Sequence, residues 1–374
     1  MQLTLHLTKA CNLRCSYCYF KDFPAPRMTR EVALAATERD LDEGSRHLGV
    51  TFFGGEPLLA RDLIRDIVPE IEARCTGRGV SVNFKIPTNG TLLDEDFVRF
   101  CDRRAVFLSL SIDGDEDAHA ARIGADGRSS FASARRALEI LAASSTAFAT
   151  YSVVTPVNAA HVARAVEYLH SVGARILITA LDHAAAWTPA DLRALAVSYR
   201  RLSKFYMRET LARRPFYLST FDSKINAHVH PQPDEDTACR AGVNQISVAP
   251  DGTLFPCVQF VERPELAIGH VSAGIDRERL AHLLGGTSSD PACAGCGIAA
   301  RCNHHCACLS LQATGTLAGV SPIACEHERL LVPIADAVAR RLYRSRAPQF
   351  IRKHYDPNDG LLTTLESLTA ARKE

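Results

Sequence analysis

Six short apolar runs punctuate the first half of the chain: Leu3 to Leu7, Val50 to Phe53, Val80 to Ile86, Val106 to Ile112, Phe148 to Val154 and Arg175 to Leu181. They are rich in β-branched or aromatic residues, and near-continuous apolar character over so few positions marks a parallel strand buried on both faces. Between them, apolar residues recur at helical spacing in Arg61 to Arg74, Ser130 to Ala143 and His161 to Val172. Strand and helix in alternation predict an α/β chain with a parallel sheet. A longer helical stretch, Pro189 to Ala212, stops at Arg213-Arg-Pro215, and His228 to Asp236 is a Pro-rich acidic connection that suits an irregular link. A first domain is therefore expected over 1–215. Beyond it, Ala249-Pro-Asp-Gly-Thr-Leu-Phe-Pro-Cys257 alternates like a hairpin around a Pro-Asp-Gly turn. Leu331, Val332, Ile334 and Val338 predict a terminal helix whose charged residues, including those from Arg340 to Lys353, form its solvated face. The remainder divides into 216–335 and a helical tail, 336–374.

The first run opens onto the most specific chemistry in the chain. Cys11, Cys15 and Cys18 stand in Lys9-Ala-Cys-Asn-Leu-Arg-Cys-Ser-Tyr-Cys-Tyr19 with the spacing C-x3-C-x2-C. Three close thiolates can seat an iron–sulfur cube and leave one iron open to a substrate or cofactor. A zinc knuckle, disulfides or buried thiols fit less well, because zinc sites favour cysteine pairs repeated at a distance. In parallel sheets, functional groups gather where strands end. Phe52-Phe53-Gly-Gly-Glu-Pro57 closes the second run, where Gly54 and Gly55 permit close backbone approach and Glu56 offers an acceptor to an ammonium group. Asn89, in Thr88-Asn-Gly90, and Ser111, in Ser109-Leu-Ser-Ile-Asp-Gly114, close the next two, with Arg122 shortly after. Asp113 is expected to serve its turn by accepting local backbone hydrogen bonds.

Seven further cysteines follow the irregular link: Cys239, Cys257, Cys293, Cys296, Cys302, Cys306 and Cys325, the middle four reading C-x2-C-x5-C-x3-C. Cys75 and Cys101 fall in helical patterns as core thiols. Lys plus Arg number 43 against 42 for Asp plus Glu, which excludes a uniform field for nucleic acid or an acidic membrane surface. No run has bilayer-spanning length and the start reads as strand and cysteine loop, so a cytoplasmic location is expected. In that reducing compartment 13 cysteines argue for metal ligation over disulfides.

The triplet, with aromatic Tyr17 before its third cysteine, resembles the cluster loop of the radical S-adenosylmethionine (SAM) superfamily. The resemblance implies a partial (β/α)6 barrel with a 4Fe-4S cluster on Cys11, Cys15 and Cys18, whose open iron chelates SAM; electron transfer then yields a 5′-deoxyadenosyl radical. It implies that Gly54, Gly55 and Glu56 meet the cofactor's amino group, and that Asn89, Ser111 and Arg122 lie near its ribose and carboxylate. The later cysteines resemble the SPASM extension, a small cysteine-rich domain with a β-hairpin and a C-terminal helix. Carried over by position, Cys293, Cys296, Cys302 and Cys325 would hold a distal auxiliary cluster, and Cys239, Cys257 and Cys306 an inner one, giving three 4Fe-4S clusters in all. No cysteine precedes Cys239 at the position expected for a fourth inner ligand, which leaves substrate, Asp234, Asp236 or Cys308. Family members oxidise or cross-link peptide and protein side chains with electrons from a flavodoxin or ferredoxin. The anaerobic sulfatase-maturating enzymes among them carry an acid directly after the cysteine matching Cys257, where this chain has Val258, and Val258 cannot take up a proton. The expectation is therefore oxidation or thioether or carbon–carbon cross-linking of a ribosomal peptide, with no nucleic acid or membrane partner. Formylglycine formation and radical dehydrogenation of a small molecule are the alternatives.

Overall fold

The computed structural model describes residues 1–20, 26–231, 241–284, Cys293, 295–302 and 306–356. Every apolar run forms a strand: β1 (Gln2–Thr8), β2 (His47–Gly54), β3 (Ser81–Thr88), β4 (Val106–Ser111), β5 (Phe148–Val154) and β6 (Ile176–Leu181). Each precedes a helix: α1 (Arg30–Asp42), α2 (Arg61–Gly77), α3 (Glu95–Arg103), α4 (Phe131–Ala143), α5 (Val162–Ser171) and α6 (Pro189–Leu211). The α/β class and its six strand–helix repeats are thus present. Local chemistry sets helix starts. The Asp94 carboxylate accepts from Phe97 N at 2.8 Å before α3, and Thr188 with Asp191 closes a reciprocal capping box at α6, where Pro189 occupies the first turn.

The chain packs as two compact units, the first comprising 1–110, 122–141 and 240–286, the second 111–121, 142–239 and 287–374. In the first unit β1, β2, β3 and β4 are parallel neighbours in that order. On the other side of β1 lies β8 (Gln245–Val248), also parallel, with Val248 opposite Leu5. The expected hairpin turns back into antiparallel β9 (Thr253–Phe255), followed by β10 (Gly269–His270) and β11 (Gly274–Ile275). Side chains alternate between the faces of such a sheet. Leu5, Val50, Phe52, Phe84, Ile86 and Leu108 share one face and are at most 2 % exposed. Each such side chain contributes roughly 1.5–3 kcal/mol. Ile64, Ile67, Val68, Ile71 and Cys75 of α2 are buried as well, and Cys101 with them, as expected of core thiols.

In the second unit β5 pairs with β6 in parallel, and β6 with the short β7 (Tyr217–Leu218), which runs into α7 (Ser219–Val229). The helix Pro322–Arg344 buries Leu331, Val332, Ala335, Val338 and Leu342. Arg340, Arg341 and Arg344 are exposed as expected, but Lys353 departs from the solvated face assigned to it. It sits on a separate helix, Pro348–Tyr355, is 8 % exposed, and donates to Phe216 O at 2.6 Å and to both Asp222 oxygens at 3.1 Å. Among the described residues no helix is long and apolar enough to cross a membrane.

Candidate cluster and cofactor site

Where β1 ends, the chain enters the cysteine loop against the end of β2. Gly54 takes φ +136°, and a Cβ there would lie 2.0 Å from Thr8 O; at Gly55 it would lie 2.3 Å from Ala10 O. These are backbone atoms, so the pair must be glycine for the two strand ends to interlock. Gly55 N donates to Thr8 O and Glu56 N to Ala10 O, each at 2.9 Å. The loop is thereby drawn against the Gly-Gly-Glu turn. Its other side is fastened by Arg14 N donating to Ile123 O at 2.7 Å.

Glu56 is 1 % exposed. Its Oε1 accepts from Leu58 N at 3.0 Å and Thr88 Oγ1 at 2.7 Å, and its Oε2 from Asn89 N at 2.8 Å. Burial pushes the carboxyl up to about 7, with these three donors opposing. Asn89 extends the network: its Nδ2 donates to Asn12 Oδ1 at 2.9 Å and lies 3.8 Å from Cys11 Sγ, and its Oδ1 accepts from Thr91 N at 3.0 Å. A continuous hydrogen-bonded path thus links Cys11 to Glu56. Arg122, 6 % exposed, places its guanidinium 5.3 Å from the centre of the Tyr17 ring, a cation–π distance. The sequence pointed to Asn89, Arg122 and Tyr17, but not to Asn12, Thr88 or Thr91, ordinary polar residues whose partners lie across the sheet.

Cys11, Cys15 and Cys18 are half-buried thiols. Cys18 N donates to Cys15 O at 3.0 Å, and Leu13 N lies 3.4 Å from Cys11 Sγ as a donor. Burial pushes the Cys11 thiol up to about 11, with Glu56 adding and the Leu13 N–H opposing. Burial likewise raises Cys18, against the Phe20 N–H and Arg122. Thiols must lose their protons to ligate iron, so cluster binding here is coupled to proton release. Backbone donors and a nearby guanidinium fit the donor set an anionic iron–sulfur cage requires. Among the described residues no three ligating side chains converge on a single ion.

Ser111 is the last residue of β4, half-buried, and groups with the second unit. Asp113 accepts a backbone hydrogen bond, but from Val153 N of β5 at 2.8 Å, 40 residues on, rather than from the local backbone expected. Cys257 is 8 % exposed and precedes the helical turn Val258–Phe260. In the second unit Cys293, Cys296 and Cys302 lie on successive tight turns, Cys296 N donating to Cys293 O and Cys302 N to Ala299 O. These three, Cys306 and Cys325 are half-buried. Cys306 and Cys308 bring their sulfurs within 3.2 Å. Cys239, Asp234 and Asp236 lie outside the described residues. One support was not legible in the sequence: buried Lys224 donates to Arg301 O at 2.9 Å and Glu328 Oε1 at 2.6 Å, pinning the turn before Cys302 to the helix bearing Cys325.

Residues 5–169 match the Radical SAM superfamily. The chain is 25 % identical over 277 residues to a cysteine-type anaerobic sulfatase-maturating enzyme of Clostridium perfringens, covering 68 % of this chain and 73 % of that one. It is 27 % identical over 267 residues to a serine-type anaerobic sulfatase-maturating enzyme of Klebsiella aerogenes, covering 67 % and 65 %. Native anSMEcpe with bound AdoMet shares the fold at a TM-score of 0.77 and 21 % identity, over 93 % of this chain and 99 % of that one. SuiB of Streptococcus suis bound to precursor peptide SuiA gives a TM-score of 0.58 at 15 % identity, over 87 % and 75 %. With the cysteine loop locked to the Gly-Gly-Glu turn, the chain matches the Radical SAM superfamily over residues 5–169 and is similar over a greater length to anaerobic sulfatase-maturating enzymes, with the fold of anSMEcpe.

Proposed function

We propose that this protein is a radical SAM peptide maturase that oxidises or cross-links a side chain of a ribosomally made peptide. The observation that carries the reading is the path from Cys11 through Asn89 to Glu56, which joins thiolate seat and ammonium acceptor in one rigid unit. In this reading Cys11, Cys15 and Cys18 hold the 4Fe-4S cube, Gly54, Gly55 and Glu56 receive the amino group of SAM, and Asn89, Ser111 and Arg122 orient the rest of it beside Tyr17. Bound there, cluster and SAM would supply a 5′-deoxyadenosyl radical for hydrogen abstraction. Cys239, Cys257 and Cys306, and Cys293, Cys296, Cys302 and Cys325, would hold two auxiliary clusters that accept the substrate electron, fed initially by a flavodoxin or ferredoxin. The functional division 1–215, 216–335 and 336–374 follows these motifs rather than the packing. A peptide substrate is supported by the maturases among the relatives and by the fold shared with SuiB bound to SuiA.

Formylglycine formation is the second reading, favoured by the names of those relatives. Against it stands Val258, directly after Cys257, where a proton acceptor is needed. The deciding experiment is anaerobic reconstitution followed by iron and sulfide analysis and 5′-deoxyadenosine release under reduction. About twelve irons per chain with release is expected for three 4Fe-4S clusters. Cys15→Ala should abolish release, while Cys296→Ala should spare part of it and block product. Equal loss from both would end the assigned division of labour. An aldehyde formed on a cysteine- or serine-containing sulfatase peptide would decide for the second reading.

A further inference from the structure

We propose that Lys85 anchors a carboxylate of the peptide substrate on the face of the first unit's sheet opposite its closed apolar face. The inference rests on the peptide reading above and names what that peptide must carry. Register places Ser247, Thr4, Thr51, Lys85 and Phe107 opposite one another across β8, β1, β2, β3 and β4. Side chains alternate along a strand, so this row projects from the face opposite Leu5, Phe52 and Ile86. That apolar face is closed, whereas Thr4, Thr51, Lys85 and Phe107 are only half-buried. This face is polar, and at Thr4, Thr51, Lys85 and Phe107 it is not closed.

Two of its groups lack partners among the described residues. Lys85 has neither a hydrogen bond nor an ion pair; burial alone lowers its ammonium from the ordinary value, with no charged neighbour contributing. An ammonium drawn partly out of water with no counter-charge is costly, and a carboxylate is the group that offsets that cost through charge-assisted hydrogen bonds. His6 stands two residues beyond Thr4 on the same face, is 0 % exposed, and leaves both ring nitrogens without a hydrogen bond between Phe20 and Phe53, whose ring centres lie 5.8 and 5.2 Å away. Phe53 and Phe107 supply apolar surface for an aliphatic stem, and the Thr4 and Thr51 hydroxyls flank the ammonium's row. The row lies three residues before the end of β3 at Thr88, about 10 Å along the strand, which separates it from the Glu56 turn. The chemistry is that of an aliphatic carboxylate, from an Asp or Glu side chain or from a free C-terminus.

The test uses the reconstituted full-length protein with SAM, held anaerobically, and a randomised hexapeptide library read by mass spectrometry of retained peptides. One arm carries amidated C-termini and the other free C-terminal carboxylates. Enrichment of Asp and Glu over Asn and Gln in the amidated arm identifies a side-chain carboxylate; preference for the free-acid arm identifies the C-terminus. In either case Lys85→Met should lower the preference about tenfold, the effect of one charge-assisted hydrogen bond, and Lys85→Arg should retain most of it. Iron content is measured on each variant to establish that it has folded and loaded its clusters. An unchanged preference in Lys85→Met, or peptides retained without acid preference, would overturn the subsite and leave the peptide reading standing. Weakened SAM affinity in Lys85→Met would overturn it too, by making Lys85 a cofactor contact. No retention of any peptide by the unmodified protein would remove the peptide reading and the subsite together.

Discussion

Glu56 shows how one residue's charge is set by a contest. Burial favours its neutral form, three donors favour its carboxylate, and burial prevails, taking the group from 4.5 to about 7. Between those values the folded protein holds a proton that the unfolded chain has released. Raising the pH through this window therefore costs stability, up to roughly 3 kcal/mol. The thermal midpoint of cluster-free protein should fall from pH 5 to pH 7.5, and Glu56→Gln, which cannot titrate, should flatten that fall. An equal fall in both proteins would sink this account. The acid itself was legible, because Gly-Gly-Glu follows an apolar run. Its donors were not: Thr88 and Asn89 lie more than thirty residues on, and only the β2–β3 register brings them to it. Lys353 was misread for a related reason. Helical periodicity predicts which face a residue occupies, but its acidic partner Asp222 lies 131 residues away.

At the scale of elements, patterning carried further. The run Phe148 to Val154 became β5 end to end, and the other five strands differ from their runs only at their limits. Apolar runs of this kind fix strands locally, whereas the parallel pairing of β8 with β1 joins residues 243 positions apart and leaves no local signature. The Gly54–Gly55 junction lies between these cases: the glycines announce a close approach without saying to what. The answer is the backbone of Thr8 and Ala10, which cannot rotate aside as a side chain can. Gly55→Ala should therefore displace the start of the cysteine loop, at a cost on the order of 1–3 kcal/mol. Because Cys11 directly follows Ala10, the expected loss is local: on the proposed three-cluster reading, about four of about twelve irons, with the rest retained. Full iron content in Gly55→Ala would show that the junction yields elsewhere.

For the whole molecule, the two compact units should answer pH in opposite directions. The second unit is fastened at Asp222, which is 0 % exposed and accepts from Tyr206 of α6, from Leu218 N at 2.7 Å, and from Lys353 and His354 of the helix Pro348–Tyr355 at 3.1 and 3.0 Å. Burial alone would raise this carboxyl, but the Lys353 ammonium and the hydrogen bonds outweigh it and hold Asp222 at about 2, below its ordinary 3.8. Burial also lowers His354, so at neutral pH it donates as a neutral ring and Lys353 is the charge partner. A depressed carboxyl gives its full stabilisation above the unfolded value and loses it as pH falls through the folded one. The second unit should therefore weaken between about pH 4 and pH 2, by roughly 2–3 kcal/mol. Asp222→Asn leaves Lys353 buried without a counter-charge, a loss of about 3–5 kcal/mol at neutral pH, and should remove that acid limb. Glu56 acts the other way, weakening the first unit as pH rises toward neutrality. Scanning calorimetry across pH should accordingly show two transitions, one moved by Glu56→Gln and the other by Asp222→Asn; a single transition shifted by both would mean that the units unfold as one.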